Sequence, residues 1–251
     1  MSRRLLILAL CLLSSRPLPA QTNEERRAGI QQRERREPSK EALERKTRMA
    51  TRLKAEGVPT IDSLPVIEDS GEARARPADE VAKRAIAVCL VAAKGEGIDQ
   101  AAVDALVHKY GAGSFFSPKE AAFIKNPRPT QQERNEYTWR YEDYWVLLWA
   151  LGYVDTLDRL EDQCDVPKAT RFLLDRTTEQ FIHDAKPRPL GTILDEADLV
   201  YRYHWAVVDA RVKGKEAPAK LDGGVVQERH YALNWLVGYM NQAWDEISTD
   251  T

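Results

Sequence analysis

The chain has 251 residues, 43% hydrophobic and 30% charged, with a formal net charge of −2. That is enough apolar material for a core in one or two domains. Charge is unevenly spread, with 11 basic and 7 acidic residues over 21–57, against 23 and 32 over 58–251. An acidic body lacks the basic face that nucleic-acid binding draws on, so no nucleic-acid partner is expected.

Residues 1–20 read as a secretory signal peptide. A basic Met-Ser-Arg-Arg start precedes an apolar run over 5–13, and small Ala20 stands at a plausible cleavage point. The run is too short for a permanent spanning helix. The expected location is the periplasm or the exterior, with no integral membrane segment after cleavage. Residues 21–38 are almost without apolar side chains and predict a disordered or loosely helical charged tether.

Residues 39–251 predict one all-helical domain. Ser39 reads as an N-cap for a helix that stops at Gly57-Val58-Pro59. Residues 61–77 have no lasting period and predict an extended loop, with Leu64, Val66 and Ile67 packed on the body. Over 78–94, Val81, Ala85, Val88 and Ala92 form a helical stripe. A short amphipathic helix follows over 100–109. Ser117, Pro118 and Glu120 form a capping-box start. One long helix is predicted over 130–151; it carries no charge beyond Tyr144 and must be buried on most sides. Asp165 opens another helix, and 186–189 is a stiff connector. A helix over 190–213 ends at Gly214. Asp222 caps a final helix over 224–244. The prediction is seven to nine helices around two central ones that hold most of the six tryptophans.

Four stretches carry a resemblance: LPVIED, WRYEDYWVLLWALGY, YRYHWAVVDARVKG and GVVQERHYALNWLVGYMNQAWDEISTDT. Together they resemble a bacterial domain family of unknown function, numbered 4272, over residues 46–251. The resemblance supplies no activity, cofactor or catalytic residue.

The polar residues of the central helices are the candidates for a site. Val226, His230, Leu233, Val237, Met240 and Trp244 recur at helical spacing, so His230 belongs to an apolar face. Glu228 falls on a second inward face, and one residue pair of this spacing diverges by about 200°. On the preceding helix Asp198, Tyr201 and Trp205 share a face, with Arg202 at its edge and His204 beside Val200. Arg140 and Glu142 are flanked by Trp139, Tyr141 and Trp145.

Two readings follow. In the first, Arg140, Glu142, Asp198, Arg202, His204, Glu228, Arg229 and His230 line a polar pocket walled by Trp145, Trp205 and Trp235. Such a pocket holds a small polar ligand or a protein partner, or pairs a carboxylate with His for hydrolase-like chemistry. In the second, the same residues form a buried network of ion pairs, because a lone desolvated charge is costly. The expected function is a non-catalytic binding or structural module.

No metal and no cofactor are expected. Glu228 and His230 are two residues apart and His204 and Asp209 five, not at the i, i+3 or i, i+4 spacings of helical metal pairs, and phosphate loops and nucleophile elbows are absent from the sequence. Cys89 sits in an apolar run. Cys164 stands among acids that disfavour a thiolate.

Overall fold

The computed structural model describes residues 37–251, together with Thr22, Glu24 and Ala28. The segment expected to be a signal peptide and nearly all of the expected tether lie outside the described residues. Helix α1 (Lys40–Ala55) begins where the Ser39 hydroxyl accepts from the Ala42 amide at 3.2 Å. Helix α2 (Ala78–Glu96) is buried on all sides through its middle: Ala82, Ile86, Ala87 and Val91 are as enclosed as the predicted stripe. It is the innermost helix. Around it pack α3 (Gln100–Tyr110), α4 (Pro118–Lys125), α5 (Gln131–Thr138), α6 (Arg140–Ala150) and α8 (Thr178–His183). The short helix α7 (Val166–Leu174) covers α6.

The rest of the domain extends sideways from α6. Helix α10 (Gly223–Val237) packs on α6, α9 (Leu190–Val212) packs on α10, and α1 packs on α9. The order across the molecule is therefore α2, α6, α10, α9, α1. Among the described residues there is no strand, and the fold is all-α. No helix among them is long and apolar enough to cross a membrane.

Two predicted helix boundaries are corrected. The helix expected over 130–151 is two helices, α5 and α6, divided at Trp139. The Thr138 hydroxyl donates back to the Arg134 carbonyl at 2.8 Å, a contact that bends helices. The Trp139 ring then packs against the start of α10, at Gly224. This redirection lets α5 lie on α2 while α6 runs between α2 and α10. The final helix, expected to reach residue 244, stops at Val237. Gly238 has φ 72°, and a Cβ there would sit 2.8 Å from the Arg74 carbonyl. The Arg74 and Arg76 amides donate to the Val237 and Leu236 carbonyls at 2.9 and 3.4 Å, satisfying the helix end. Met240 and Trp244 thus leave the face that the spacing assigned to them.

The stiff connector has a similar duty at α6. The Lys186 and Arg188 amides donate to the Leu151 and Ala150 carbonyls, and the Arg188 guanidinium donates to the Trp149 carbonyl at 2.8 Å. A cation at a helix C-terminus is favourable for the helix dipole. The chain end is also tied down. Asp245 accepts from the Ser117 hydroxyl and the Lys119 amide, and Asn234 donates to the Ser248 carbonyl at 2.8 Å.

Helices α2 and α5 approach so closely that one position admits only glycine. A Cβ on Gly95 would lie 2.7 Å from the Thr138 nitrogen and 2.9 Å from the Arg134 carbonyl oxygen. Both are backbone atoms, so the helices themselves would have to separate. Overpacking costs about 1–3 kcal/mol, against about 1 kcal/mol that alanine gains over glycine in a helix. Gly95→Ala is expected to lower the urea midpoint, and Gly95→Val to lower it further. A raised midpoint for both would contradict this packing.

Candidate functional site

Helix α10 starts at Asp222, whose carboxylate accepts from the Gly224 and Val225 amides at 2.8 and 3.0 Å. Its consecutive residues Glu228, Arg229 and His230 step by about 100° each, so they face three different neighbours.

Arg229 points at α6. It is 2% exposed, and its Nε donates to Glu142 Oε2 at 2.9 Å. Its Nη1 donates to the Leu157 carbonyl. The other Glu142 oxygen accepts from the Cys164 amide at 2.6 Å. Every charge in this pair has a partner, and the pair is sealed from solvent. Glu142 and burial together drive the Cys164 thiol well above its ordinary range, burial being the larger cause. Burial likewise pushes the Cys89 thiol up to about 12. Both cysteines are free thiols, and neither is disposed to be a thiolate.

Glu228 meets Arg140 at 3.1 Å. The same guanidinium donates to Asp143 Oδ2 at 2.9 Å and lies 4.3 Å from the centre of the Tyr231 ring. One arginine therefore serves two carboxylates. Asp143 is fully enclosed, and its Oδ1 has no hydrogen-bond partner. Burial raises its pKa well above the carboxylate range; Arg140 opposes this and Glu228 adds to it. Asp143 is absent from the sequence-based candidates, although its place one residue after Glu142 in the charge-poor helix was a signal.

On α9, Arg202 grips Asp198 with two bonds, Nε to Oδ2 at 2.8 Å and Nη2 to Oδ1 at 2.7 Å. Both side chains are buried, and burial raises the Asp198 pKa against the pull of Arg202. His204 and His230 form a fourth group, with their Nδ1 atoms 2.9 Å apart and their rings nearly perpendicular. One Nδ1–H donates to the other ring's lone pair, so at most one of these nitrogens carries the shared proton. Burial, with Arg211 beside it, lowers the His204 pKa to about 4; burial and His204 lower that of His230 to about 3.

The eight candidates thus fall into four separate pairings: Arg140 with Glu228, Glu142 with Arg229, Asp198 with Arg202, and His204 with His230. Of the three tryptophans expected as lining, Trp145 and Trp235 are in the hydrophobic core, and only Trp205 is half-buried at a cavity wall. Among the described residues, no three His, Cys, Asp or Glu side chains converge for a metal ion.

A cavity of about 630 Å³ lies to one side of this network. Its walls are residues 61–68, the α9 face bearing Tyr201 and Trp205, the α10 face bearing His230 and Asn234, and the chain end at Asp250. The 61–68 segment has no regular structure of its own and is held by cations from the helices beneath. Lys46 Nζ donates to the Leu64 carbonyl at 2.7 Å, Arg45 Nη1 to the Glu68 carbonyl at 3.1 Å, and Arg202 Nη2 to the Pro65 carbonyl at 3.4 Å. Leu64 is buried beneath it, while Val66 and Ile67 are half-buried. His230 is the member of the polar network that reaches this cavity. Sequence periodicity placed His230 inward but carried no sign of the cavity, because its opposite wall lies more than 160 residues away along the chain.

No curated protein and no solved structure matches the chain. A family model does match, over residues 45–247, and that stretch begins within α1, runs through α10 and includes the 61–68 wall of the cavity. The chain belongs to the family defined by the domain of unknown function DUF4272.

Proposed function

We propose that this protein is an exported, non-catalytic binding module whose ligand site is the cavity between residues 61–68, α9 and α10. The observation that carries this reading is the cavity itself. Its volume is in the range of small-molecule sites, its walls combine aromatic rings with a few polar groups, and one wall is a loop anchored through its carbonyls. Among the described residues, the lining includes Glu68 and Asp250 and no lysine or arginine. The ligand class that fits is neutral or cationic, with an apolar body for Tyr201 and Trp205. Export rests on the signal-like start of the chain.

The hydrolase alternative asks for carboxylates and histidine in one cleft. Glu142 is 3% exposed and bonded to Arg229, and Glu228 is held by Arg140 outside the cavity wall. A general base needs reach to a substrate proton, and these two carboxylates face arginines instead. His230 faces the cavity as a neutral imidazole without a carboxylate partner.

Thermal melting against a panel of amines, neutral sugars and short basic peptides tests this reading. A ligand that binds only the folded state adds about 2.7 kcal/mol at a hundred-fold excess over its Kd. The expected result is a raised Tm with a neutral or cationic compound. A rise confined to anionic compounds would contradict it.

A further inference from the structure

We propose that the His204–His230 pair is an acid-operated latch on the cavity: when both rings are protonated they part, and the chain end that walls the cavity is released with them. The inference rests on the cavity being the binding site and adds how that site is regulated.

The hydrogen-bond network assigns the tautomers. Asn234 Nδ2 is spent on the Ser248 carbonyl at 2.8 Å, so its Oδ1 is the atom that favours a proton on His230. His230 Nδ1 faces His204, so that proton sits on Nε2 and Nδ1 is the acceptor. His204 therefore donates from its own Nδ1 and keeps a lone pair on Nε2. A first proton from solvent goes to His204 Nε2, against the pull of Arg211, and leaves the bond between the rings in place. A second can go only to His230 Nδ1. Two N–H groups on two cations then meet across 2.9 Å inside the protein, where charges repel more strongly than in water. This order agrees with the lower pKa of His230, about 3 against about 4 for His204.

Placement decides what gives way. His230 is buried, and the cavity is the open space beside it. Asn234, one turn further along α10, lines the same wall and holds the chain end through Ser248; Thr251 lines the cavity beyond it. Movement of His230 therefore reaches Asn234 and the 248–251 wall together. Besides Arg211, the titratable groups around the pair are Tyr201, with its ring centre 5.8 Å from that of His230, and Tyr239, Glu68 and Asp250 on the cavity wall.

Hydrogen exchange of the Ser248 amide, followed by NMR on the full chain, tests the latch. This amide is buried and donates to Gln242 Oε1 at 3.0 Å. Opening takes up two protons, so between pH 6 and 4.5 its protection factor falls by up to about a hundred-fold per pH unit in the parent. It falls by about ten-fold per unit in His204→Gln and in His230→Gln, where one titrating ring is left. In the double variant it is nearly flat. The Val88 amide, in the buried middle of α2, stays better protected than Ser248 at every pH and shows that each variant is folded. Either single variant suffices for the comparison.

Equal pH slopes in parent and variants overturn the latch. So does Ser248 protection that equals that of Val88 at every pH, because the chain end would then open only on global unfolding. The melting panel separates this from the broader reading. A compound that raises the Tm while the exchange slopes are equal leaves the binding site standing without its latch. No shift with any compound removes the site, and with it what the latch regulates, whatever the slopes.

Discussion

Arg229→Met is expected to destabilise the domain by about 3–5 kcal/mol, the range for removing one partner of a buried ion pair. The substitution preserves much of the side-chain volume, so little of the loss is cavity formation. What remains is the Glu142 carboxylate, enclosed and with one oxygen still bonded only to the Cys164 amide. The Leu157 carbonyl also loses its donor. Whole-domain stabilities are about 5–15 kcal/mol, so a large share would be lost. Glu142→Gln in the same chain is expected to recover most of it. The neutral amide keeps an acceptor for the Cys164 amide and removes the stranded charge. Urea denaturation of both variants reads the difference. A loss below about 1 kcal/mol for Arg229→Met would mean that water reaches Glu142, and a chemical role for that carboxylate would be open again.

Acid is the second large effect. His204 and His230 have pKa values of about 4 and about 3 in the folded protein, against an ordinary value of 6.5. Above pH 6.5 both are neutral in the folded and unfolded chain, and they contribute no pH dependence. Below it the unfolded chain takes up protons first, so stability falls as pH falls, and the fall continues to about pH 3–4. Each histidine contributes a slope approaching 1.4 kcal/mol per pH unit. Asp143 and Asp198, with raised pKa values, work in the opposite direction because their folded forms take up protons first. His204→Gln isolates the histidine share, since those acids are common to both proteins. Between pH 6 and 4.5 the variant's stability should decline less steeply than the parent's, by about 1.4 kcal/mol per pH unit. Parallel slopes would show that His204 is protonated in the folded state.

Local chemistry in the sequence predicted much of the fold. Ser39, Ser117, Asp165 and Asp222 each cap the helix they were assigned, because a cap is a contact within three residues. The two misplaced boundaries have different causes. Apolar spacing runs through Met240 to Trp244 and suggests a continuing helix. Gly238 ends it because Arg74, 164 positions earlier, needs the space and the carbonyls. The glycine was the visible signal. At Trp139 the signal was weaker, since a back-bonded threonine only bends a helix when packing rewards the bend.

The candidate residues show the same division. Helix phase separates Glu228 from His230, and their partners are on different helices, Arg140 on α6 and His204 on α9. Which carboxylate meets which arginine is set by how helices cross, so the eight residues read as one pocket and fold into four pairings. The cavity was out of reach of spacing altogether. It exists because α1 and α9 hold an irregular segment away from α10 by its backbone carbonyls. No side-chain pattern encodes that.

The role of the cavity is tested most directly by the melting of parent and Trp205→Ala in the presence of the compound that raises the parent's Tm most. Trp205 is half-buried at the cavity wall, and the variant's own melting without compound is the baseline. The expected result is a shift in the parent that is lost or strongly reduced in Trp205→Ala. An undiminished shift in the variant would place the ligand elsewhere and contradict the assignment of this cavity as the binding site.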